Sequence, residues 1–166
     1  MIAQDRRANK PKYDFTNMID GSLFGRGGAK ASALLPRLEG RLSMLSVISV
    51  VDDDASVRTA IDNLLSSHGY FVRTFVSAEE FLQSSHLHDC ACVVADVQMP
   101  GMSGLDLLTY MRAQGYLAPV IFITAFPEES VRAIALEAGA IGFLAKPFAA
   151  PALIDCVETA LHRAGG

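Results

Sequence analysis

The sequence predicts an α/β fold, a doubly wound parallel sheet of five strands with five helices, on three observations. Short apolar, β-branched runs recur five times, each followed by a stretch of helical character. Strands that alternate with helices in this way pair in parallel, with helices covering both faces of the sheet. The runs are nearly continuous in apolar residues, as expected of strands buried on both sides. Four of the five also end in polar side chains: Asp52 and Asp53 on the first, Asp96 on the third, Thr124 on the fourth and Lys146 on the fifth. In an open parallel sheet those ends share one edge, which is where such folds place their sites.

Residues 1–43 contain scattered charges, glycines at 21, 25, 27, 28 and 40, and no sustained period, so they are expected to be a disordered extension. Only 30–42 shows helical spacing, through Leu34, Leu35, Leu38 and Leu42, and Pro36 interrupts it. Charge sets the boundary. Residues 1–43 carry eight Lys/Arg against four Asp/Glu, whereas 44–166 carry six against fourteen, which places a basic extension before an ordered acidic domain at 44–166.

The first strand covers 45–51 and runs into Asp52-Asp53-Asp54. Adjacent carboxylates repel one another unless a cation lies among them, they face solvent, or they sit at a helix N-terminus. The next helix places Val57, Ile61, Leu64 and Leu65 on one face and stops at Gly69, a plausible C-cap. A second strand spans 70–75, and Ser77 and Glu80 have the spacing of a capping box for a short helix through Gln83. The third strand, 90–95, delivers Asp96 at its end. A carboxylate there needs a cation, a hydrogen-bond network or a covalent role, because an unpaired charge at the end of a buried strand is costly. Pro100, Gly101 and Gly104 then stop the strand, and Ser103 with Asp106 opens a third helix through Gln114 as a second capping pair. A fourth strand at 120–124, a helix at 128–138 ending at Gly139, a fifth strand at 141–145 and a helix at 151–163 with Pro151 in its first turn complete the chain.

At 166 residues, 51% hydrophobic and 19% charged, the chain reads as one soluble globular domain, with no element left over for an output domain. Cys90, Cys92 and Cys156 are an odd number without a disulfide framework, and the four histidines show no ligand spacing around them. No apolar run approaches the roughly 18 residues of a membrane span, and 1–43 lack the apolar block of a signal peptide, so the protein is expected in the cytoplasm without membrane association. The acidic domain has no clustered Lys/Arg to neutralise phosphates, which argues against nucleic acid as its partner.

The motifs Val-Val-Asp-Asp-Asp at 50–54, Ala-Asp-Val-Gln-Met-Pro-Gly-Met-Ser-Gly at 95–104, Ile-Thr-Ala at 123–125 and Ala-Lys-Pro-Phe at 145–148 resemble, in order and spacing, the receiver domains of two-component response regulators. The likeness covers 45–163 and is strongest to the nitrogen-fixation type, whose full-length members carry a DNA-binding helix-turn-helix afterwards. The resemblance implies a flavodoxin-like receiver fold and a phosphoacceptor role for Asp96. It also implies Mg²⁺ held by Asp52, Asp53, Asp96 and the backbone carbonyl of Gln98. Lys146 would pair with Asp96 at rest and with a phosphoryl oxygen afterwards, Thr124 would donate to another phosphoryl oxygen, and Phe143 would be an aromatic that turns inward when the Thr124 hydroxyl shifts. Elementary chemistry supports the set: a carboxylate attacking phosphorus must approach an anionic group, and a hard divalent ion on oxygen ligands neutralises that charge. Taken singly, Lys146 reads as an ordinary surface lysine and Phe143 as core, while a helix-cap role for Asp53 and a turn-satisfying role for Thr124 are the bland alternatives. Phe126-Pro127 departs from the smaller or polar residues usual after the threonine, which bears on access to the site.

The leading expectation is a stand-alone phosphoacceptor switch. It would be loaded by a sensor histidine kinase or a histidine phosphotransfer protein, and would catalyse its own phosphorylation and dephosphorylation rather than act on an external substrate. Its output would be a protein partner or a homodimer through the face made by helix 4, strand 5 and helix 5. A phosphoryl sink in a relay and a fragment of a larger DNA-binding regulator are the alternatives. Phosphatases of the haloacid-dehalogenase type also use an Asp nucleophile, but they need a second acid two residues on, where this chain has Gln98. A fold-only interaction module has no reason to keep the charged cluster.

Overall fold

A computed structural model of the chain describes residues 46–164. The chain divides into Met1–Leu35 and Pro36–Gly166, and everything described belongs to the second part. The extension expected at 1–43 lies outside the described residues. Five parallel strands, β1 (Val47–Val51), β2 (Phe71–Phe75), β3 (Cys90–Asp96), β4 (Val120–Thr124) and β5 (Gly142–Ala145), form one sheet in the order β2-β1-β3-β4-β5. The helices are α1 (Ala55–Ser67), α2 (Ala78–Gln83), α3 (Gly104–Ala113), α4 (Glu129–Glu137) and α5 (Ala150–Ala164).

Each strand sends alternate side chains to opposite faces, so the sheet carries two cores. Val51, Phe75, Val93, Ala95, Val120 and Phe122 pack under α2, α3 and α4, whereas Ile48, Val50, Cys92, Val94, Ile121 and Ile123 pack under α1 and α5. This double burial is why the strands read as continuous apolar runs. The stripe predicted on α1 faces the second core, with Ile61 and Leu65 buried and Val57 and Leu64 packed against it. The six-residue α2 is too short to be stable alone. It is held by Phe81, fully buried with its ring 5.2 Å from that of Phe75, and by the Ser77 cap.

Element ends differ from the sequence reading by a residue or two, with one difference that matters: Asp96 is the last residue of β3 itself. The Ser103–Asp106 capping box is complete, each side chain accepting the other's backbone N–H. At α2 only half the expected box forms. Ser77 Oγ accepts from Glu80 N, but the Glu80 carboxylate accepts from Val76 N at 2.6 Å, one residue before the cap. A short 3-10 turn at Leu87–Asp89, unforeseen in the sequence, leads into β3 and buries Leu87. The three cysteines are free, with Cys92 buried. Among the described residues no helix is long and apolar enough to cross a membrane.

Candidate functional site

The strand order places β1 and β3 side by side in the middle of the sheet, and the chain leaves them in opposite directions, toward β2 and toward β4. A crevice opens at such a reversal, beyond the carboxyl ends of the strands. Asp52 and Asp53 follow β1 there, Asp96 ends β3, Thr124 ends β4 and Lys146 follows β5. Carboxylate oxygens of Asp52, Asp53 and Asp96 all lie within 4.8 Å of one another.

The two buried carboxylates are held in the same way. Lys146 Nζ donates to Asp52 Oδ2 at 2.8 Å and to Asp96 Oδ2 at 2.7 Å. Each remaining oxygen accepts a backbone N–H two residues ahead, Asp52 Oδ1 from Asp54 at 2.8 Å and Asp96 Oδ1 from Gln98 at 3.0 Å. Charges this deep require such partners, since Asp52 is fully buried and Asp96 only 8% exposed. Burial pushes the Asp52 carboxyl up despite the opposing pull of Lys146 and the Asp54 N–H. Burial also works against the Lys146 charge, but its two carboxylate partners outweigh that and hold the ammonium above its usual range.

The run Asp52-Asp53-Asp54 resolves its repulsion in three ways. Asp52 takes the lysine, Asp53 faces solvent and Asp54 caps α1, its Oδ1 accepting from Ser56 N at 2.7 Å and Val57 N at 3.3 Å. Those backbone donors hold the Asp54 carboxyl below the usual range. Three carboxylates around one ammonium leave a net negative site of hard oxygen donors, a set that suits a divalent cation such as Mg²⁺. Asp53, at the exposed mouth, adds charge without a burial cost.

Local backbone choices bring these groups together. Gly104, the first residue of α3, sits so close to β3 that a Cβ there would lie 2.2 Å from the carbonyl oxygen of Asp96 and 2.9 Å from the Phe122 ring. Gly101 adopts φ +78, open to glycine and strained for other residues. Thr124 is fully buried, yet its hydroxyl does not reach the carboxylates: it accepts from Phe126 N at 3.1 Å and lies 3.4 Å from Phe126 O. The Gln98 side chain is exposed. Phe143 is half-buried, pairs in register with Phe122 and packs against the α2–α4 core.

Two participants had no signal in the sequence. Arg58 Nη1 donates to the Asp52 carbonyl oxygen at 2.5 Å, and Glu79 Oε1 accepts from Met102 N at 2.8 Å, 23 positions away. Both contacts depend on how helices lie against the sheet edge, which no local pattern records.

The family model for the response regulator receiver domain matches residues 48–158. Nodulation protein W of Bradyrhizobium diazoefficiens is 40% identical over 121 residues, a match covering 73% of this chain and 53% of that protein. Among solved structures, the FixJ-N crystal structure is 32% identical at TM-score 0.65, covering 70% of this chain and 94% of that one. Chemotaxis protein CheY4 of Vibrio cholerae is 27% identical, also at 0.65, covering 70% and 99%. The chain spans about half the length of the curated relatives it matches. With this match over most of the described fold, the chain belongs to the response regulator receiver domain family.

Proposed function

We propose that this receiver takes a phosphoryl group onto Asp96 from a sensor histidine kinase or a histidine phosphotransfer protein, and that the modified domain switches binding to a protein partner or to a second copy of itself. The observation that carries the reading is the position of Asp96: at the end of a buried strand, 2.7 Å from Lys146 and among two further carboxylates. An Asp oxygen attacks phosphorus, the P–N bond to the donor imidazole breaks with its electron pair remaining on the ring, and an acyl phosphate results. Asp52, Asp53, Asp96 and the Gln98 carbonyl would hold Mg²⁺. The ion, when bound, supplies charge neutralisation for the transferred group.

Lys146 keeps its proton, already engages Asp96, and can pass to a phosphoryl oxygen as charge accumulates there. The Thr124 hydroxyl must leave the Phe126 backbone to do the same, and Phe143 lies on the neighbouring strand to follow it. Acting on itself rather than on an external substrate, the domain would both acquire and hydrolyse the phosphoryl group. Phe126, 62% accessible and two residues after Thr124, and the exposed Gln98, two residues after Asp96, would govern water entry.

The test is phosphorylation by a small acyl phosphate with and without Mg²⁺, read by intact mass. One phosphate is expected on the wild type with Mg²⁺ and none on Asp96→Asn; undiminished labelling of that variant would sink the assignment. Amide exchange over 124–150 then separates a switch from a relay sink, because a sink needs no change on α4 and β5. A second reading, a receiver that works within a DNA-binding regulator, is favoured by the length and the printed names of relatives such as transcriptional regulatory protein TdiR of Thauera aromatica. The native gene product's mass distinguishes it from a domain that signals alone.

A further inference from the structure

We propose that Glu79 is a positioning residue for the metal-binding loop: its carboxylate, reaching across from α2, holds the β3–α3 loop so that the Gln98 carbonyl is presented beside Asp96. The inference rests on the proposed Mg²⁺ role of that loop. It goes beyond it by assigning a residue outside the acidic cluster.

The capping bonds of α2 to Glu80 and Val76 do not use Glu79, although its carboxylate also engages its own amide and the Ser77 hydroxyl. Ser77 Oγ already accepts from Glu80 N, and the Glu80 carboxylate accepts from Val76 N. A first-turn acid with no more than a dipole role would point to solvent. Glu79 also reaches beyond that turn, its Oε1 accepting from Met102 N at 2.8 Å, 23 positions along the chain.

The recipient loop has few other outside attachments. Within residues 97–103, Gln98 N turns back onto Asp96 Oδ1, the Val97 carbonyl accepts from Gly104 N at 3.0 Å, and Ser103 pairs with Asp106. Among the described residues, the hydrogen bonds that tie the loop to other elements are Val97 N to the Ile123 carbonyl, at its root, and Met102 N to Glu79, beyond Gln98. The Gln98 carbonyl is therefore bracketed by one fixed point on the sheet and one on α2. Gly101 is shaped to the same contact. Besides its φ of +78, a Cβ there would lie 2.7 Å from Glu79 Oε1, so the carboxylate occupies the space that a side chain would take. Without the carboxylate, the Met102 amide turns to water and the loop keeps its root, its turn onto Asp96 and the packing of Val97, Met99 and Met102 against the core, but no hydrogen bond to α2.

Glu79→Ala and Glu79→Gln separate this role from a general effect of charge or fold. The glutamine keeps an oxygen at the same reach and can still accept from Met102 N, whereas alanine cannot. Calorimetric Mg²⁺ titration should show affinity lowered about 2- to 10-fold in the alanine variant, the range for losing one hydrogen bond, and close to wild type in the glutamine variant. Labelling by an acyl phosphate should slow in the alanine variant at low Mg²⁺ and recover at saturating Mg²⁺. Met102 amide exchange should accelerate in the alanine variant while protection in β1 and α1 stays unchanged. Equal Mg²⁺ affinity in wild type and Glu79→Ala would overturn the proposal. So would equal losses in both variants, which would mean that charge alone acts. If the wild type binds no Mg²⁺, the metal reading fails, and Met102 exchange still decides whether Glu79 holds the loop.

Discussion

Replacing Lys146 by methionine removes the cation between Asp52 and Asp96 while keeping most of the apolar stem. Asp52, fully buried, would lose its partner, and breaking a buried ion pair costs about 3–5 kcal/mol. The low end applies, because the Lys146 and Asp96 side chains remain 17% and 11% exposed and water can reach part of the gap. For a domain of about 120 residues, a loss of about 3 kcal/mol lowers Tm by roughly 12 °C, since each kcal/mol is worth about 4 °C at that size. The pH dependence identifies the cause. Asp52 already has its folded pKa above the unfolded value, so its ionisation opposes folding, and stability falls as pH rises from the unfolded value through the folded one. Without Lys146 that folded pKa rises further, which widens the window upward. The Tm deficit of Lys146→Met should therefore be large at neutral pH and shrink toward pH 4. In the wild type the raised Lys146 pKa acts at the other end: its contribution is complete below the unfolded value and is lost only as pH rises through the folded one. Mg²⁺ should raise the variant's Tm at neutral pH by replacing the missing charge, about 2.7 kcal/mol at a hundredfold excess over its Kd. The deficit narrows to the extent that the variant binds the ion more tightly than the wild type does. Calorimetric melting over pH 4–8, with and without Mg²⁺, reads all of this. A uniform deficit across pH that Mg²⁺ does not relieve would refute the reasoning.

Asp53→Ala should lose Mg²⁺ affinity yet stay folded, because the side chain is exposed and repels two neighbours; a melt at or slightly above the wild-type Tm in metal-free buffer is expected, and unfolding would make the residue structural. Gly104→Ala should destabilise by about 1–3 kcal/mol, because its Cβ meets the Asp96 carbonyl oxygen at 2.2 Å and α3 must retreat from β3. Denaturant melting checks the stability, and the same displacement should slow phosphorylation of Asp96.

Much of this was legible in the sequence because the decisive features are local. The paired-face burial of the strands is written in their unbroken apolar runs, and the Ser103–Asp106 box in its spacing. The Asp52-Asp53-Asp54 run announced that its charges needed separate solutions, and the structure supplies one for each. What no single stretch records depends on strand order, and the meeting of Asp52, Asp53 and Asp96 was implied only by the resemblance to receiver domains. That β1 lies beside β3, so that one lysine spans Asp52 and Asp96 together, follows from the crossover pattern rather than from any stretch of chain. Glu79 escaped for the same reason, as the Ser77–Glu80 spacing accounted for the wrong glutamate. Glu80 itself chose the Val76 amide because the extended chain before the cap brought that N–H within 2.6 Å.

The Thr124 contact limits how strongly any switch in this domain can be driven. In the described state the hydroxyl accepts one bond from the Phe126 amide at 3.1 Å, and its approach to the Phe126 carbonyl oxygen, at 3.4 Å, is too long to add much. Releasing it forfeits about 1 kcal/mol, and little more, because Phe126 is exposed and its amide can turn to water. A hydrogen bond to a charged phosphoryl oxygen returns about 1.5–3 kcal/mol. The balance is roughly 0.5–2 kcal/mol in favour of the inward hydroxyl, or about a 2- to 30-fold shift in population from this contact alone. A partner that reads the α4, β5 and α5 face can therefore gain no more than about that factor through Thr124. A larger phosphorylation-dependent change in partner affinity or self-association would have to draw on Lys146 moving from Asp52 and Asp96 to the phosphoryl group. Comparing the affinity change in wild type and in Thr124→Ala divides the two contributions: a change that survives the substitution intact belongs to the lysine.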